Sequence, residues 1–279
     1  MTEIRIAHSP DSDDAFMFYA LTQGILDDED LEIRHVLKDI ESLNQAAFEG
    51  EYEITALSVH AYAHLHDRYQ LMPSGASFGD GYGPVVVSRD PLGRDDLEGL
   101  EVAVPGELTT AHLALKLWQP RADTRIVPFD QILPAVESGG APAGVVIHEG
   151  QLTYPELGLR KVEDLGAWWQ QETGGPLPLG ANGIRRDLDE NLKKRLCRLL
   201  RQSIDYALEE RSEALDFAVQ YARGLETDRT RADRFVGMYV NEWTREYGEP
   251  GRRAVQLLLD RAYEAGVIPE PVEAEFVEV

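Results

Sequence analysis

The chain has 279 residues, of which 43% are hydrophobic and 28% charged, a balance typical of a globular protein with a substantial core. Its 50 acidic and 27 basic residues give a formal net charge of −23, which argues against nucleic acid and anionic membranes as partners. No apolar run approaches the roughly 18 residues that a membrane-spanning helix needs.

The N-terminal segment leads almost directly into a predicted strand. It lacks the basic start, the longer apolar stretch and the small-residue cleavage site of a signal peptide, so we predict a cytoplasmic protein. The single cysteine, Cys197, agrees with this location because no internal disulfide can form. Its neighbours Leu196, Leu199 and Leu200 have helical spacing, which predicts a packed thiol rather than a nucleophile.

The first third of the chain alternates predicted strands and helices. Aspartate or serine precedes each of the first two helices and glycine ends each of them, as is typical of helix boundaries. Strands are predicted at Ile4 to Ala7, Leu31 to Val36 and Glu53 to Ser58, and helices at Ala15 to Leu21, from Asp39 to Gly50 and over Val59 to Tyr69. This order predicts a parallel, doubly wound sheet.

A second α/β unit follows a glycine-rich loop at 79–84. Its predicted strands are Val85 to Val87, Glu101 to Val104, Arg125 to Val127 and Ala143 to Ile147, and its helices are Thr109 to Trp118 and Asp130 to Ser138. An extended segment, Pro176 to Ile184, has the proline and glycine content of a crossing between lobes. Beyond Asp187 the spacing of apolar residues predicts helices at 188–208, 213–222, 229–243 and 251–265.

These elements predict an α/β protein of two lobes, with mixed, mostly parallel sheets, flanking helices and a helical C-terminal segment. The large lobe comprises residues 1–88 and 183–279, and residues 89–182 form an inserted small lobe. Two crossings form a hinge, and such proteins bind their ligand in the cleft between the lobes. The sequence predicts no oligomeric state.

Polar residues stand where four predicted strands end, and the carboxyl ends of strands are where open α/β sheets bind ligands. These positions are His8-Ser9, Ser58, Thr109-Thr110 and His148-Glu149. Thr109 and Thr110 begin a helix, where free N–H groups favour a carboxylate or phosphate, although one threonine could serve only as a cap. His148 emerges from a buried strand and is either a general base or a structural histidine.

Metal and nucleotide sites have less support in the sequence. His60 and His64 lie one helical turn apart, but the glutamate of a metalloprotease motif is missing and no standard zinc spacing occurs. The acidic run Asp11, Asp13 and Asp14 is more typical of a helix start than of a magnesium site, although Asp14 could face the cleft. No P-loop or GxGxxG motif follows a strand. We therefore predict neither a metal nor a cofactor.

Several segments together resemble the 1,4-dihydroxy-6-naphthoate synthases of the futalosine route to menaquinone. They occur in order over most of the first 190 residues, whereas the helical tail is similar only in character. The segments are Ser9 to Leu21, Leu57-Ser58 with Ala61 to Ala63, Val104 to Gly106 with Thr109 to Ala111, Ile147 to Glu149 with Thr153-Tyr154, and Asp164 to Trp169 with Pro176 to Gly180.

The resemblance implies a type II periplasmic-binding-protein-like fold that serves catalysis without metal or organic cofactor. The implied reaction converts cyclic dehypoxanthinylfutalosine to 1,4-dihydroxy-6-naphthoate by proton abstraction and elimination, which is lyase chemistry on a small anionic substrate. It implies His148 as the base. The implied or expected substrate-binding residues are Ser9, Asp14, Ala56, Leu57, Ser58, Thr109 and Thr110.

The chain departs from the family in two places. The family usually has Cys-Pro-Asn where this chain has Asp11-Ser12-Asp13, and commonly has lysine where it has Ala56. These differences leave the identity of the anion open. A chorismate dehydratase of similar fold and a non-catalytic binding protein for a small organic anion are the alternative hypotheses.

Overall fold

The computed structural model describes all 279 residues. Its strands are β1 Thr2–His8, β2 Leu31–Leu37, β3 Ile54–Ser58, β4 Tyr69–Leu71, β5 Ser77–Gly79, β6 Val85–Ser88, β7 Glu101–Val104, β8 Asp123–Ile126, β9 Ala143–Val146, β10 Arg160–Asp164 and β11 Leu177–Arg185. Its helices are α1 Ser12–Met17, α2 Tyr19–Thr22, α3 Ile40–Phe48, α4 Val59–Tyr62, α5 Thr110–Trp118, α6 Phe129–Glu137, α7 Gly150–Thr153, α8 Leu165–Thr173, α9 Glu190–Glu209, α10 Arg211–Ala218, α11 Arg229–Tyr239, α12 Glu242–Arg245 and α13 Gly248–Glu264. None of these helices is both long enough and apolar enough to cross a membrane.

The strands form two mixed sheets, one in each lobe, which confirms the predicted α/β fold class. The first sheet has the order β2-β1-β3-β11-β4 with β5 beside β11, and the second has the order β10-β6-β9-β7-β8. In each sheet only three neighbouring strands are parallel. The strands predicted in the first third of the chain are parallel as expected, because β1 pairs in parallel with β2 and β3. The sheets as wholes are not mostly parallel as predicted, because β11 runs antiparallel to β3, β4 and β5 and β6 runs antiparallel to β9 and β10.

The chain passes between the sheets slightly earlier than predicted. Val85–Ser88 pairs with strands of the second sheet, and the whole of Leu177–Arg185 pairs in the first. The predicted boundary at residue 88 falls at the end of β6, and the boundary at residue 182 falls inside β11. We therefore propose that the lobes divide before Val85 and before Leu177.

The predicted helix from Val59 to Tyr69 is wrong beyond Tyr62, where α4 ends and turns lead into β4. Its apolar residues Ala61, Leu65 and Tyr69 have helical spacing and are all buried in one cluster with Leu57. This spacing is typical of a helix, although the backbone from residue 63 to residue 68 forms turns instead. Similarly, the predicted helix at 229–243 stops at Tyr239, because the Asn241 side chain caps a new helix, α12.

The C-terminal helices complete the core of the first lobe. Leu196, Leu200 and Ile204 of α9 pack in one cluster with Phe16 and Phe18. Cys197 is buried in the same cluster, and burial raises the pKa of its thiol to about 12, which keeps the nucleophilic thiolate scarce. The predicted packed thiol is confirmed.

The buried His8 and the half-buried His35 lie near the ends of β1 and β2. His8 stacks on Phe18 with ring centroids 4.4 Å apart, and its Nε2 lies 3.1 Å from Nδ1 of His35. Burial lowers the pKa of both imidazoles to about 4, and in His8 the neighbouring His35 lowers it further. The folded protein therefore holds this pair neutral well below the pH at which free histidine ionises.

We predict that the pair makes folding sensitive to acid. An unfolded chain binds protons at these histidines below about pH 6.5 while the folded one does not, so stability falls as the pH drops from 6.5 to 4, by about 3 kcal/mol for His8. Urea unfolding at pH 7 and pH 5 should show a smaller loss for His8→Gln than for the wild type. The control His66→Gln should lose as much as the wild type, and an equal loss in all three proteins would contradict the prediction.

Candidate active site

The carboxyl ends of the parallel strands of both lobes line a cavity with about 730 Å³ of empty space, part of which is open to solvent. All eight predicted site residues line it, namely Ser9, Asp14, Ala56, Leu57, Ser58, Thr109, Thr110 and His148. Ser9, Asp14 and the segment 56–58 belong to the first lobe, whereas Thr109, Thr110 and His148 belong to the second. The structure thus brings the predicted residues together, while the role of each stays a prediction.

His148 is held in an unusual conformation beside an acidic partner. Its φ of 54° is the one positive value at a residue other than glycine, so the backbone turns sharply just after β9. Nδ1 lies 3.1 Å from Oδ2 of Asp11, and the ring meets Phe129 edge to face at 4.9 Å. Burial opposes the charged imidazole, but the hydrogen bond and charge of Asp11 outweigh it and raise the pKa of His148.

Four carboxyl groups crowd around this histidine. Oδ2 of Asp14 accepts a hydrogen bond from the Ser9 N–H at 2.7 Å, and Oε1 of Glu149 accepts one from the Ser12 hydroxyl at 2.7 Å. Oδ1 of Asp13 and Oε2 of Glu149 are buried without a hydrogen-bond partner.

Burial, followed by the negative charge of Asp11, raises the pKa of Asp13 and of Asp14 well above the ordinary value. Burial similarly raises the pKa of Glu149. The raised pKa values favour the protonated forms of these groups, which carry no negative charge toward an anion.

Three donors at this end of the cavity are close enough together to hold a cation. Ligand atoms of Asp11, Asp13 and His148 lie within 4.8 Å of one another, but the hydrogen bond between Asp11 and His148 already occupies two of the three side chains. His60 of α4 and His66 of the following turns are engaged separately, since His60 Nδ1 faces the Thr109 carbonyl and His66 Nδ1 faces the Ala63 carbonyl. The prediction that no metal is bound stays a prediction.

The N-terminus of α5 faces the opposite side of the cavity with its backbone. The Thr109 hydroxyl donates to the Gly106 carbonyl and accepts from the His112 N–H, which makes it a helix cap. The Thr110 hydroxyl donates to the Leu179 carbonyl at 2.6 Å and accepts from the His60 N–H. Because intrahelical bonding starts at His112, the N–H groups of Thr110 and Ala111 are the donors available to an anion.

A buried asparagine fixes Ser58 at the cavity wall. Asn44 donates from Nδ2 to the Ser58 hydroxyl at 3.0 Å and accepts from the Ser58 N–H at 2.9 Å. From the same helix, Glu41 reaches across the cleft and accepts from the Leu108 N–H at 3.2 Å. Helix α3 thus positions one wall of the cavity and contacts the loop that precedes α5.

Several cavity residues escaped the sequence analysis. Asp11 and Asp13 belong to a motif that was expected only to start a helix. Phe235 and Tyr239 come from α11, and the Tyr239 hydroxyl donates to Oε1 of Gln151 at 2.8 Å. Their apolar spacing did not distinguish a cavity wall from ordinary core, because nothing in the sequence shows what that helix faces.

Comparison with known proteins identifies close relatives. Residues 4–264 match a family model described as menaquinone biosynthesis. The chain is 44% identical to a 1,4-dihydroxy-6-naphthoate synthase of Thermus thermophilus, over 97% of this chain and 98% of the relative. It is 37% identical to an enzyme of the same name from Streptomyces coelicolor, over 95% of both chains.

Solved structures agree in fold. A crystal structure of a protein from Archaeoglobus fulgidus has a TM-score of 0.91 and 49% identity, and covers 95% of this chain and 98% of that one. The alkanesulfonate-binding protein of Xanthomonas axonopodis has a TM-score of 0.72 at 14% identity, covering 98% and 96% of the two chains. The second similarity concerns the fold alone, and it confirms the expected periplasmic-binding-protein-like architecture.

We predict that Asp13→Asn stabilises the protein above neutral pH. The unfolded chain releases the Asp13 proton near pH 4 while the folded chain retains it, so the wild type loses stability as the pH rises above that value. An amide cannot ionise and so avoids this loss. The free energy of unfolding should exceed that of the wild type at pH 8, and the gain should disappear near pH 4.

Urea unfolding at both pH values measures this gain. The exposed variant Asp67→Asn is the matched control and should change the free energy of unfolding by less than about 0.5 kcal/mol. A destabilised Asp13→Asn protein at pH 8 would show that the buried carboxyl group is ionised and compensated there.

Proposed function

We propose that this chain, which belongs to the menaquinone biosynthesis family, is a 1,4-dihydroxy-6-naphthoate synthase. Two relatives of that name match nearly its whole length. The cavity is the structural observation that supports this proposal. All eight predicted site residues line it, and His148 is the one histidine among the lining residues. As in the family resemblance, the proposed substrate is cyclic dehypoxanthinylfutalosine.

The lining of the cavity suits a ring system that carries a carboxylate. Ile40, Leu57, Ile147, Leu179 and Phe235 supply apolar surface for the faces of the rings. No lysine or arginine is among the lining residues, so the carboxylate would bind at the N-terminus of α5. There, unpaired N–H groups and the helix dipole attract an anion without a cationic side chain.

The proposed chemistry requires a base at the reacting carbon. The neutral imidazole of His148 removes a proton from carbon, and the electron pair of that C–H bond becomes the new π bond. The leaving group departs with the electron pair of its own bond, and the imidazolium returns the proton to it. The formation of an aromatic ring drives the elimination. Because these steps need only side chains of the protein, we propose a lyase that uses neither a metal nor an organic cofactor. We also propose that it acts in the cytoplasm and that its substrate is a small anion.

We predict that His148→Ala and His148→Asn both lower kcat by about 10²–10⁴-fold, the usual effect of removing a general base. Asparagine tolerates a positive φ better than most residues, so the second variant separates the loss of the base from backbone strain. Purified protein should be incubated with cyclic dehypoxanthinylfutalosine, and naphthoate formation should be followed by chromatography. His66→Gln serves as the control with unchanged turnover.

The other hypotheses give different results in the same assay. Chorismate consumption with formation of an enol-ether benzoate would identify a chorismate dehydratase. No turnover of either compound, with tight binding of a carboxylate that survives His148→Ala, would identify a binding protein. Near wild-type turnover in both His148 variants would disprove the role of this residue as the base.

A further inference from the structure

We propose that Asp11 is the positioning residue of His148: its carboxylate keeps the proton on Nδ1, so that Nε2 is the unprotonated nitrogen available to the substrate. The importance of this arrangement for turnover rests on the proposed function. The arrangement itself is a property of the free protein.

Each oxygen of Asp11 has its own donor. Oδ2 lies 3.1 Å from Nδ1 of His148, and Oδ1 accepts from the backbone N–H of Asp14 at 3.2 Å as the N-cap of α1. The Asp11 side chain is only 6% exposed, so water has little access to either donor. A carboxylate can only accept hydrogen bonds, which means that the neutral His148 ring must carry its proton on Nδ1.

The two members of this pair belong to different lobes. Asp11 lies in the loop that follows β1 of the first sheet, and His148 follows β9 of the second. The adjacent pair Ser12 and Glu149 joins the same two segments through a hydrogen bond of 2.7 Å. Any opening of the cleft that parts these segments would remove the partner of His148, so the base is complete only when the lobes are closed.

The cap makes Asp11→Asn an informative substitution. An asparagine side chain has one oxygen, and the Asp14 N–H requires it because that group has no other acceptor. The amide nitrogen would then face Nδ1 of His148, where it can only donate. We therefore expect the proton of the ring to move to Nε2, so that the nitrogen available to the substrate can no longer accept a proton.

The test combines spectroscopy with kinetics. Full-length protein with ¹⁵N-labelled histidine shows from its imidazole shifts which nitrogen carries the proton, and His148→Asn identifies the signals of residue 148 among the seven histidines. We expect Nδ1–H in the wild type and Nε2–H in Asp11→Asn, measured where the ring is neutral. The kcat of Asp11→Asn should fall by about 10²–10⁴-fold with KM little changed.

Asp189→Asn is the matched control, because Asp189 caps α9 away from the cavity through the N–H groups of Asn191 and Leu192. It should keep the wild-type tautomer and kcat. Nε2–H in the wild type, or an unchanged tautomer and kcat in Asp11→Asn, would overturn the proposal. The wild-type spectrum decides the point even if Asp11→Asn fails to fold.

The two proposals fail in different ways. A wild type that forms no naphthoate but shows Nδ1–H at His148 would contradict the proposed function and leave the pairing intact. A wild type that forms naphthoate but carries the proton on Nε2 would do the reverse.

Discussion

The structure of the cleft depends on the hydrogen-bonding capacity of one buried carboxylate. Asp11 has two oxygens and must satisfy two donors, a backbone N–H of its own lobe and an imidazole of the other. The first contact shapes the loop between β1 and α1, in which the Ser9 N–H also bonds to Asp14. The second brings β9 to that loop. The same side chain therefore caps a helix, orients a histidine and joins two lobes.

The charges of the site follow from the same arrangement. Asp11 remains a good acceptor because His148 is its partner, and its charge raises the pKa of the neighbouring Asp13 and Asp14. Protonated carboxyl groups are compatible with an anionic ligand, whereas several buried carboxylates without cations would not be. A chain with a formal charge of −23 thus contains a cavity lined by no lysine or arginine, in which burial favours the protonated forms of Asp13 and Asp14.

The sequence predicted the fold class and several residues of the cavity because these follow from local rules. Apolar strands end in polar residues, and parallel strands place those ends at one edge, so Ser9, Ser58, Thr109 and His148 could be grouped without knowing the fold. The pairing of β11 was not predictable in this way, since strand direction is decided by contacts distant in sequence. The same holds for Tyr239 of α11.

The partnership of Asp11 with His148 was missed for a related reason. Asp11 has every local feature of a helix cap, and it is one, so its second role produces no additional signal in the sequence. Asn44, which holds Ser58, was overlooked among the apolar residues of α3. In both cases the contact with the cavity residue is made by a side-chain atom that has no partner within its own helix or loop.

The positive φ of His148 has an evolutionary consequence. A left-handed backbone at an ordinary residue costs about 1 kcal/mol, which glycine would not incur, so histidine at this position opposes the preference of the fold. Under the proposed role of His148 as the base, selection for turnover would keep the histidine against that preference. In a lineage that had abandoned the reaction, residue 148 should therefore drift toward glycine or asparagine earlier than the well-packed residues around it, and would mark the loss of the activity in a sequence record.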